Sequence, residues 1–570
     1  MQFFGSTIQF KEEIMSNSSK KHNCPLLNFF KSCGCSCDSS SKPADHSHDH
    51  GNSCCGHDHV HDHDHEHPHS HEAEPKPAAA ASGSETENDE QAVNADLQSF
   101  VNNIGAFMDR QPPKQKEQAG ENEVSQPPFD QAALEEKAYV EARDEQRKLV
   151  LESEEDAAGR AAWNYNDQAV NLVDTFSHSG LQSMESSGLR NVRLRNTPWS
   201  CDYWAICRGI LGKRYDDPSF PDSLDWKECN DYVESRPAAS ILASGDAAAI
   251  DLLSPSEKYD ILVGDSNYTL TKKMWAEGEY YHRQSGSVAA WMGICHGWAT
   301  AAYMLARPQK SVKVLAADGQ TWLTFYPSDI KGLASLLWAK VSPQVKFIGG
   351  RCNETNPPTD PQNKRILSDR CFDTNPGTWH LAVVNQIGAS GRSMVIDATF
   401  DYEVWNQPMV GYRYYYFNPK EMVYRNSLAE ATVSKSSFSN DRFAKYRSPQ
   451  TDSMVGIAMD VSYTVETAPS QSTVDSSAAD AIDTVRYYYD LELDFSGKII
   501  GGEWYLNRHP DFLWTPGPGD RARTSYEPGG SWAEGQAVPA NWQSAAASAS
   551  NGSSAPLAAI VERLIELANN

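Results

Sequence analysis

The strongest constraint on how this chain can fold is an abrupt change in composition along its 570 residues. Up to residue 91 it is dominated by His, Cys, Asp and small polar residues, and eleven of its seventeen histidines lie between residues 46 and 71. From about residue 186 to about 515, Trp and Tyr become frequent, and Pro and Gly separate short apolar segments. Because burial of apolar surface is the main favourable term in folding, the compact core must come from this second region.

The composition divides the chain into four regions. Residues 1–91 are predicted to be a disordered tail and linker of metal-binding composition, and residues 92–185 a helical and linker segment that acts as a spacer or a cover helix. Residues 186–515 form the predicted compact domain. Residues 516–570 are rich in Gly, Ser, Ala and Pro, which predicts a flexible tail. Its last segment is a short amphipathic helix that either docks on a partner or packs back on its own domain.

Charge and hydropathy exclude several classes of function. The formal net charge is −26, which disfavours electrostatic binding of nucleic acids. No apolar run reaches the roughly 18 residues that a membrane span needs. The N-terminus lacks the charged start, apolar stretch and small-residue cleavage site of a secretory signal. We therefore expect a cytoplasmic location or secretion by a non-Sec route, and nothing in the sequence indicates the oligomeric state.

The segment G-I-C-H-G-W-A-T-A-A, residues 293 to 302, carries the first candidate for chemistry. Good helix formers follow Cys295, so a helix is predicted to begin at or just after it. The free N–H groups and the dipole of a helix start would favour the thiolate and could donate to a developing oxyanion. A buried, unreactive cysteine explains the segment equally well.

A thiol nucleophile needs a base. His296 is adjacent to Cys295, but neighbouring residues on a helix point about 100° apart, so it is a poor partner. His380 begins the strand-like run W-H-L-A-V-V-N-Q-I-G, and Asp397 ends the strand-like run R-S-M-V-I-D. Two adjacent antiparallel strands would bring these side chains together, so that Asp397 could orient the imidazole. The alternative for His380 is a half-buried histidine with satisfied hydrogen bonds.

The chain order Cys, His, Asp predicts the fold class. We expect an α+β domain with a papain-like or transglutaminase-like thiol-enzyme core, in which the helix that carries Cys295 packs on an antiparallel sheet, flanked by disordered N- and C-terminal tails.

The N-terminal tail is a predicted metal-binding segment. Histidine alternates with acidic and other residues there, and thiols lie nearby, a composition suited to zinc, nickel or copper. The predicted ligands are His57, His59, His61, His63, His65, His67, His69 and His71.

The remaining cysteines suggest disulfides. Cys352 and Cys371 bracket a polar, Pro-rich loop and are expected to pair if the protein meets an oxidising compartment. Cys201, Cys207 and Cys229 could supply a second bridge with one thiol left over.

Several segments are similar to the transglutaminase elicitor family, known from oomycete pathogens and some bacteria. V-W-N-Q-P at 404 to 408, followed by Gly-Tyr, resembles the short elicitor peptide of that family. W-M-G-I-C-H-G-W-A resembles its active-site cysteine segment, and the likeness extends over roughly residues 190–515. The chain departs from the family at Met409 and Val410, where a small and a basic residue are usual.

The resemblance implies calcium-dependent protein-glutamine γ-glutamyltransfer with papain-like placement of the catalytic residues. It assigns Cys295 as nucleophile, His380 as base and Asp397 as orienting carboxylate. Trp291 and Trp298 flank the cysteine and would either line the substrate entrance or belong to the core. The implied partners are proteins with an accessible glutamine, together with amine donors.

Calcium rests on this resemblance alone, because the aspartate-rich segments around Asp360, Asp373 and Asp401 form no EF-hand pattern. Two other functions remain open: a cysteine peptidase or amidase that uses the same residues, and a non-catalytic metal-binding or recognition protein.

Overall fold

The structure, a computed structural model, describes residues 87–115, 167–352, 354, 356–368, 371, 373–400 and 403–570. The predicted metal ligands of the tail lie outside the described residues, namely His57, His59, His61, His63, His65, His67, His69 and His71.

The helices precede, interrupt and follow a large sheet. Their bounds are α1 Glu87–Asn102, α2 Ile104–Met108, α3 Leu181–Ser186, α4 Trp226–Glu234, α5 Ala238–Ser244, α6 Ala247–Asp251, α7 Pro255–Leu262, α8 Thr269–Ser285, α9 Cys295–Met304, α10 Pro327–Val341, α11 Pro376–Val383, α12 Leu428–Ala431, α13 Ala540–Ser553 and α14 Ala558–Asn569. A π-helical segment, Val384–Ala389, continues α11. Across the described parts of the chain, no helix has both the length and the apolar character needed to cross a membrane.

The strands are antiparallel throughout their described pairings. Their bounds are β1 Asn191–Arg193, β2 Val312–Leu315, β3 Trp322–Phe325, β4 Val345–Gly349, β5 Val395–Asp397, β6 Asn406–Asn418, β7 Val423–Arg425, β8 Thr432–Ser434, β9 Ser453–Val465, β10 Ala481–Leu493, β11 Ile499–Trp504 and β12 Phe512–Pro516. The main sheet has the order β11-β10-β9-β6-β5-β12-β4, with β1 and β7 also pairing with β6, and β8 with β9. Strands β2 and β3 form a separate hairpin. The domain is therefore mixed α and β, and its large sheet is antiparallel, as the sequence predicts.

Alternation in R-Y-Y-Y-D-L-E-L-D-F predicts a strand, F-S-G-K a hairpin turn and I-I-G-G-E-W-Y the return strand, and the structure confirms this hairpin. Four alternate side chains of β10 lie in one buried cluster, and they are Tyr487, Tyr489, Leu491 and Leu493. The predicted turn follows, with Gly497 at a φ of +80°, and β11 returns antiparallel to β10. A left-handed residue suits such a turn, and glycine adopts it without steric cost.

The prediction of a strand for W-H-L-A-V-V-N-Q-I-G is wrong. Asn375 caps helix α11 by accepting a hydrogen bond from the backbone N–H of Gly377, and Pro376 occupies the first turn. Most of the α11 side chains are buried, so its sequence shows no polar side with a helical period. A short run that is buried on nearly all sides cannot be told from a buried strand by periodicity.

The C-terminal region also differs from its prediction as a flexible tail. Helix α13 buries Trp542, Ala546 and Ala549, and α14 buries Ile560, Val561 and Leu564 in the same core as Cys295. The terminal helix packs back on its own domain, one of the two alternatives that its amphipathic pattern left open. The small side chains of α13 let this helix pack close to the core. A composition that is typical of linkers therefore forms a packed helix in this domain.

Helix α1 covers part of the sheet. Val93, Leu97 and Phe100 are buried, and the Phe100 ring stacks on that of Tyr505 at 4.8 Å between centroids. This segment therefore acts as a cover helix for the described domain.

The sheet separates two large buried clusters. Val395, Phe512 and Trp514 point into one cluster, which contains Cys295, and we call this side the Cys295 face. Their neighbours Ile396 and Leu513 point into the other cluster, which includes the residues that surround His380, and we call this side the His380 face. The alternation of strand side chains produces this division.

Candidate active site

Cys295 is the first residue of α9, as the sequence predicts. The N–H of Ile294 donates to the carbonyl of Tyr203 at 2.8 Å, which fixes the entry to the helix. Gly297, in its first turn, lies so close to α10 that an added Cβ would stand 2.2 Å from the carbonyl oxygen of Ser335. This close packing leaves Cys295 only 5% exposed.

The sulfur of Cys295 contacts the V-W-N-Q-P segment. The thiol donates to the carbonyl of Val404 at 3.7 Å, and the side-chain amide of Asn406 donates to Sγ at 3.6 Å. Within the described part of the chain these are the side-chain hydrogen bonds of Cys295. The elicitor-like segment therefore lies directly over the candidate nucleophile.

The Cys295 thiol is neutral, whereas the start of a helix is expected to favour the thiolate. Burial raises the pKa of Cys295 to about 11, whereas the hydrogen bonds from Asn406 lower it and the charges of Glu466 and Asp397 raise it further. Desolvation of the anion thus outweighs the helix start in this conformation. The resting thiol is neutral, in agreement with its donation to Val404.

Asn406 is held from its other side by Trp514. The indole N–H of Trp514 donates to Oδ1 of Asn406 at 2.9 Å, so the NH₂ end of the amide is the end that points at Cys295. Both side chains are buried, since Asn406 is 2% and Trp514 is 1% exposed.

Asp397 lies on the Cys295 face. It is paired directly with Asn406 across β5 and β6, and directly opposed residues of an antiparallel pair project to the same side. Its Oδ1 accepts from the backbone and hydroxyl of Thr399 and from the N–H of Trp405. Its Oδ2 is buried and has no hydrogen-bond partner among the described residues. Burial raises the pKa of Asp397 to about 7.

His380 lies on the opposite face. Its Nδ1 and the hydroxyl of Tyr489 are hydrogen-bonded at 2.9 Å, and its ring meets that of Tyr414 edge-on at 4.9 Å. Burial lowers the pKa of His380 to about 3, so the imidazole is neutral. In the described part of the chain, no hydrogen bond joins His380 to Cys295 or Asp397. The expectation that adjacent strands would bring His380 to Asp397 is wrong, because His380 is on a helix.

A β-bulge explains part of this separation. Between Met409 and Gly411 the register of β6 against β9 shifts. Asn406 therefore points to the Cys295 face, although Tyr414, an even number of residues later, belongs to the His380 face. One extra residue reverses the alternation of a strand.

The other predicted residues near the thiol belong to the core. His296 is buried, and burial lowers its pKa to about 4, with the charge of Lys340 on α10 nearby. Trp298 is fully buried and its indole donates to the carbonyl of Trp199 at 3.0 Å, and Trp291 is 5% exposed. In this conformation neither tryptophan lines an open entrance.

The calcium implied by the resemblance stays a prediction. Where the structure describes side chains, no three Asp, Glu, His or Cys residues are arranged to hold a metal ion. Asp373 and Asp511 are buried with one unpartnered oxygen each, and burial together with neighbouring carboxylates raises their pKa values. Asp360 instead accepts from the Tyr446 hydroxyl at 2.5 Å, and Asp401 lies outside the described residues.

The predicted bridge between Cys352 and Cys371 is present, with an S–S distance of 2.06 Å. Cys201, Cys207 and Cys229 are buried free thiols, so no second bridge forms among them.

Val404, Asn406 and Trp514 are the site residues that the sequence did not single out. The first two lie in a segment with a clear signal, V-W-N-Q-P, but the sequence associates that segment with elicitor recognition and not with the thiol. Nothing in the local pattern of F-L-W-T-P connects Trp514 to Asn406, which is 108 positions away.

No curated protein matches this chain. The crystal structure of the GP42 transglutaminase from Phytophthora sojae is 22% identical, covers 64% of this chain and 93% of that chain, and has a TM-score of 0.43. The sequence model of the family described as Transglutaminase elicitor matches residues 170–538, which is more than half of the chain. The chain belongs to the transglutaminase elicitor family.

Proposed function

We propose that this protein is a protein-glutamine γ-glutamyltransferase with Cys295 as its nucleophile. The observation that carries the proposal is the contact between the sulfur of Cys295, at the start of α9, and Asn406 of the V-W-N-Q-P segment. Both segments lie within the region that matches the family.

In the proposed reaction the Cys295 thiolate attacks the carboxamide carbon of a protein glutamine. The C–N bond breaks, ammonia leaves with a proton, and a thioester forms. A lysine or other primary amine then attacks the thioester, loses a proton and releases the thiol, which gives an isopeptide bond. Water in place of the amine would give glutamate. A buried sulfur such as that of Cys295 favours the amine by limiting access of water.

The proton of Cys295 needs an acceptor. Asp397 shares a face with the thiol, has an unpartnered oxygen and has a pKa raised to about 7 by burial, a value suited to a general base. His380 would have to cross to the other face of the sheet to take this role. In this proposal Asp397 accepts the proton directly or through one water.

A second candidate function, a non-catalytic recognition protein, is favoured by one observation. The Cys295 thiol is neutral, covered and without an imidazole partner among the described residues. Catalysis therefore requires Val404 to move away from the sulfur when substrate binds, while Asn406 keeps its contact with Sγ.

One experiment separates these candidates. The full chain is incubated with a glutamine-bearing protein and a fluorescent primary amine, with and without calcium. Transglutamination predicts covalent labelling that is lost in Cys295→Ala, while the buried thiol variant Cys207→Ala keeps it. Fragmentation of the substrate would indicate a peptidase. Neither labelling nor fragmentation by the folded protein would favour recognition without catalysis.

A further inference from the structure

The segment that covers the sulfur also supplies hydrogen-bond donors to it. The side-chain amide of Asn406 donates to Sγ at 3.6 Å, and its backbone N–H also lowers the pKa of the Cys295 thiol. A neutral thiol needs only an acceptor, and Val404 provides one at 3.7 Å. The amide donor directed at the sulfur matches the needs of the anion, since a thiolate only accepts hydrogen bonds.

The orientation of the amide is fixed. An asparagine side chain can present either its oxygen or its nitrogen, and the network decides which one. Trp514 is a donor only, so its 2.9 Å bond to Oδ1 directs the Asn406 nitrogen toward Cys295. The Trp514 ring is 1% exposed in the packed core, which holds the indole N–H in place.

The other charged groups that face the sulfur act in the opposite direction. Asp397 on β5 and Glu466 just beyond β9 both raise the pKa of the thiol. Glu466 is itself hydrogen-bonded by Gln407, the residue that follows Asn406, at 2.9 Å. Asn406 therefore favours the ionised form of Cys295 against these two charges.

We propose that Asn406 is a catalytic residue that stabilises the Cys295 thiolate, and that Trp514 is the positioning residue that fixes its amide. The catalytic role of Asn406 rests on the proposed function. The contact between its amide and the sulfur can be measured without any turnover.

The test follows alkylation of Cys295 by iodoacetamide from pH 6 to pH 10 in the full chain, with Cys295→Ala subtracted to remove the other thiols. Iodoacetamide reacts with the thiolate, so its rate follows the ionised fraction. A change in ionisation slows iodoacetamide and the bulkier reagent iodoacetanilide by the same factor, whereas a change in access slows the bulkier reagent more, so both reagents are used. Asn406→Asp replaces the donor by a carboxylate of the same shape.

We expect the Asn406→Asp profile to move to higher pH by at least one unit, which is about a tenfold slower reaction at pH 8. Trp514→Phe keeps an aromatic ring but lacks the indole N–H. We expect its alkylation rate at pH 8 to be about threefold lower than that of the wild type. The matched control is Asn418→Asp, at the far end of β6, where the amide donates to the carbonyl of Glu430 at 3.2 Å. Its profile should superimpose on that of the wild type.

An unshifted Asn406→Asp profile in a folded protein overturns the inference. If Asn406→Asp does not fold, a folded Trp514→Phe decides in the same way, because it removes the N–H that donates to Oδ1 of Asn406 and adds no charge. Transamidation is measured on the same samples. A wild type without transamidation but with a shifted Asn406→Asp profile would refute the proposed function and still support the contact with the thiolate. Normal transamidation with an unshifted Asn406→Asp profile would support the proposed function and refute the role of Asn406 at the thiolate.

Discussion

The Cys295 face and the His380 face of the sheet each bury an ionisable group of the predicted catalytic set, but they surround it differently. On the His380 face the imidazole lies among tyrosines, has one hydrogen bond to Tyr489, and burial lowers its pKa to about 3. On the Cys295 face the thiol meets an amide, a carbonyl and a carboxylate. Burial suppresses the charged form on both faces, and on the Cys295 face the hydrogen bonds from Asn406 act against that effect.

The largest expected effect is a difference in transamidation rate between a variant of the Cys295 face and a variant of the His380 face. Asp397→Asn should lower transamidation at least 100-fold, because it removes a proton acceptor while its carbonyl oxygen keeps the bonds from Thr399 and Trp405. His380→Gln should lower it less than 10-fold, because His380 lies on the other face. Initial rates of amine incorporation measure both effects. A larger loss in His380→Gln than in Asp397→Asn, with both variants folded, would reverse the assignment of the base.

A second prediction concerns stability and pH on the Cys295 face. The pKa of Asp397 is raised to about 7 from its ordinary value of 3.8, so between these values the native state holds a proton that the unfolded state has lost. The free energy of unfolding therefore falls as pH rises through this window. From pH 5 to pH 7 the wild type should lose about 2 to 3 kcal/mol relative to Asp397→Asn, which has no proton to lose.

Urea unfolding at several pH values measures this difference. The charge of Asp397 also raises the pKa values of Asp373 and Asp511, so the comparison is repeated in an Asp373→Asn, Asp511→Asn background. A difference that is constant from pH 5 to pH 7 would show that Asp397 titrates as an ordinary carboxyl, and it would remove the physical basis for its role as base.

The smallest expected effect concerns the hydrogen bond between Tyr489 and His380 on the His380 face. Tyr489→Phe removes the hydroxyl bonded to Nδ1 of His380 and should destabilise the protein by about 1 kcal/mol. It should leave the rate of transamidation unchanged, because no step of the proposed reaction uses this pair. Thermal unfolding and amine incorporation on the same preparation check both parts. A tenfold loss of activity with unchanged stability would place His380 back in the reaction.

The sequence predicts the local structure at Cys295 better than the local structure at His380. Cys295 is found at a helix start because the residues after it are strong helix formers, a local property of the chain. The β10–β11 hairpin is predicted for a similar reason, since alternation and a glycine turn are both local. His380 is misplaced because its segment is apolar on every side and its helical state depends on packing against β10 and β11.

By itself the sequence determined the family, the antiparallel α+β character, the helix that begins at Cys295 and the cysteines that pair across the Pro-rich loop. These follow from local propensity, alternation and distinctive short segments. Only the tertiary structure decided which side chains meet the sulfur. A bulge at Val410 sets the face to which Asn406 points, the packing of α11 removes His380 from the thiol, and Trp514 reaches Asn406 across the sheet. Such contacts join residues about a hundred positions apart, and no local pattern of the chain encodes them.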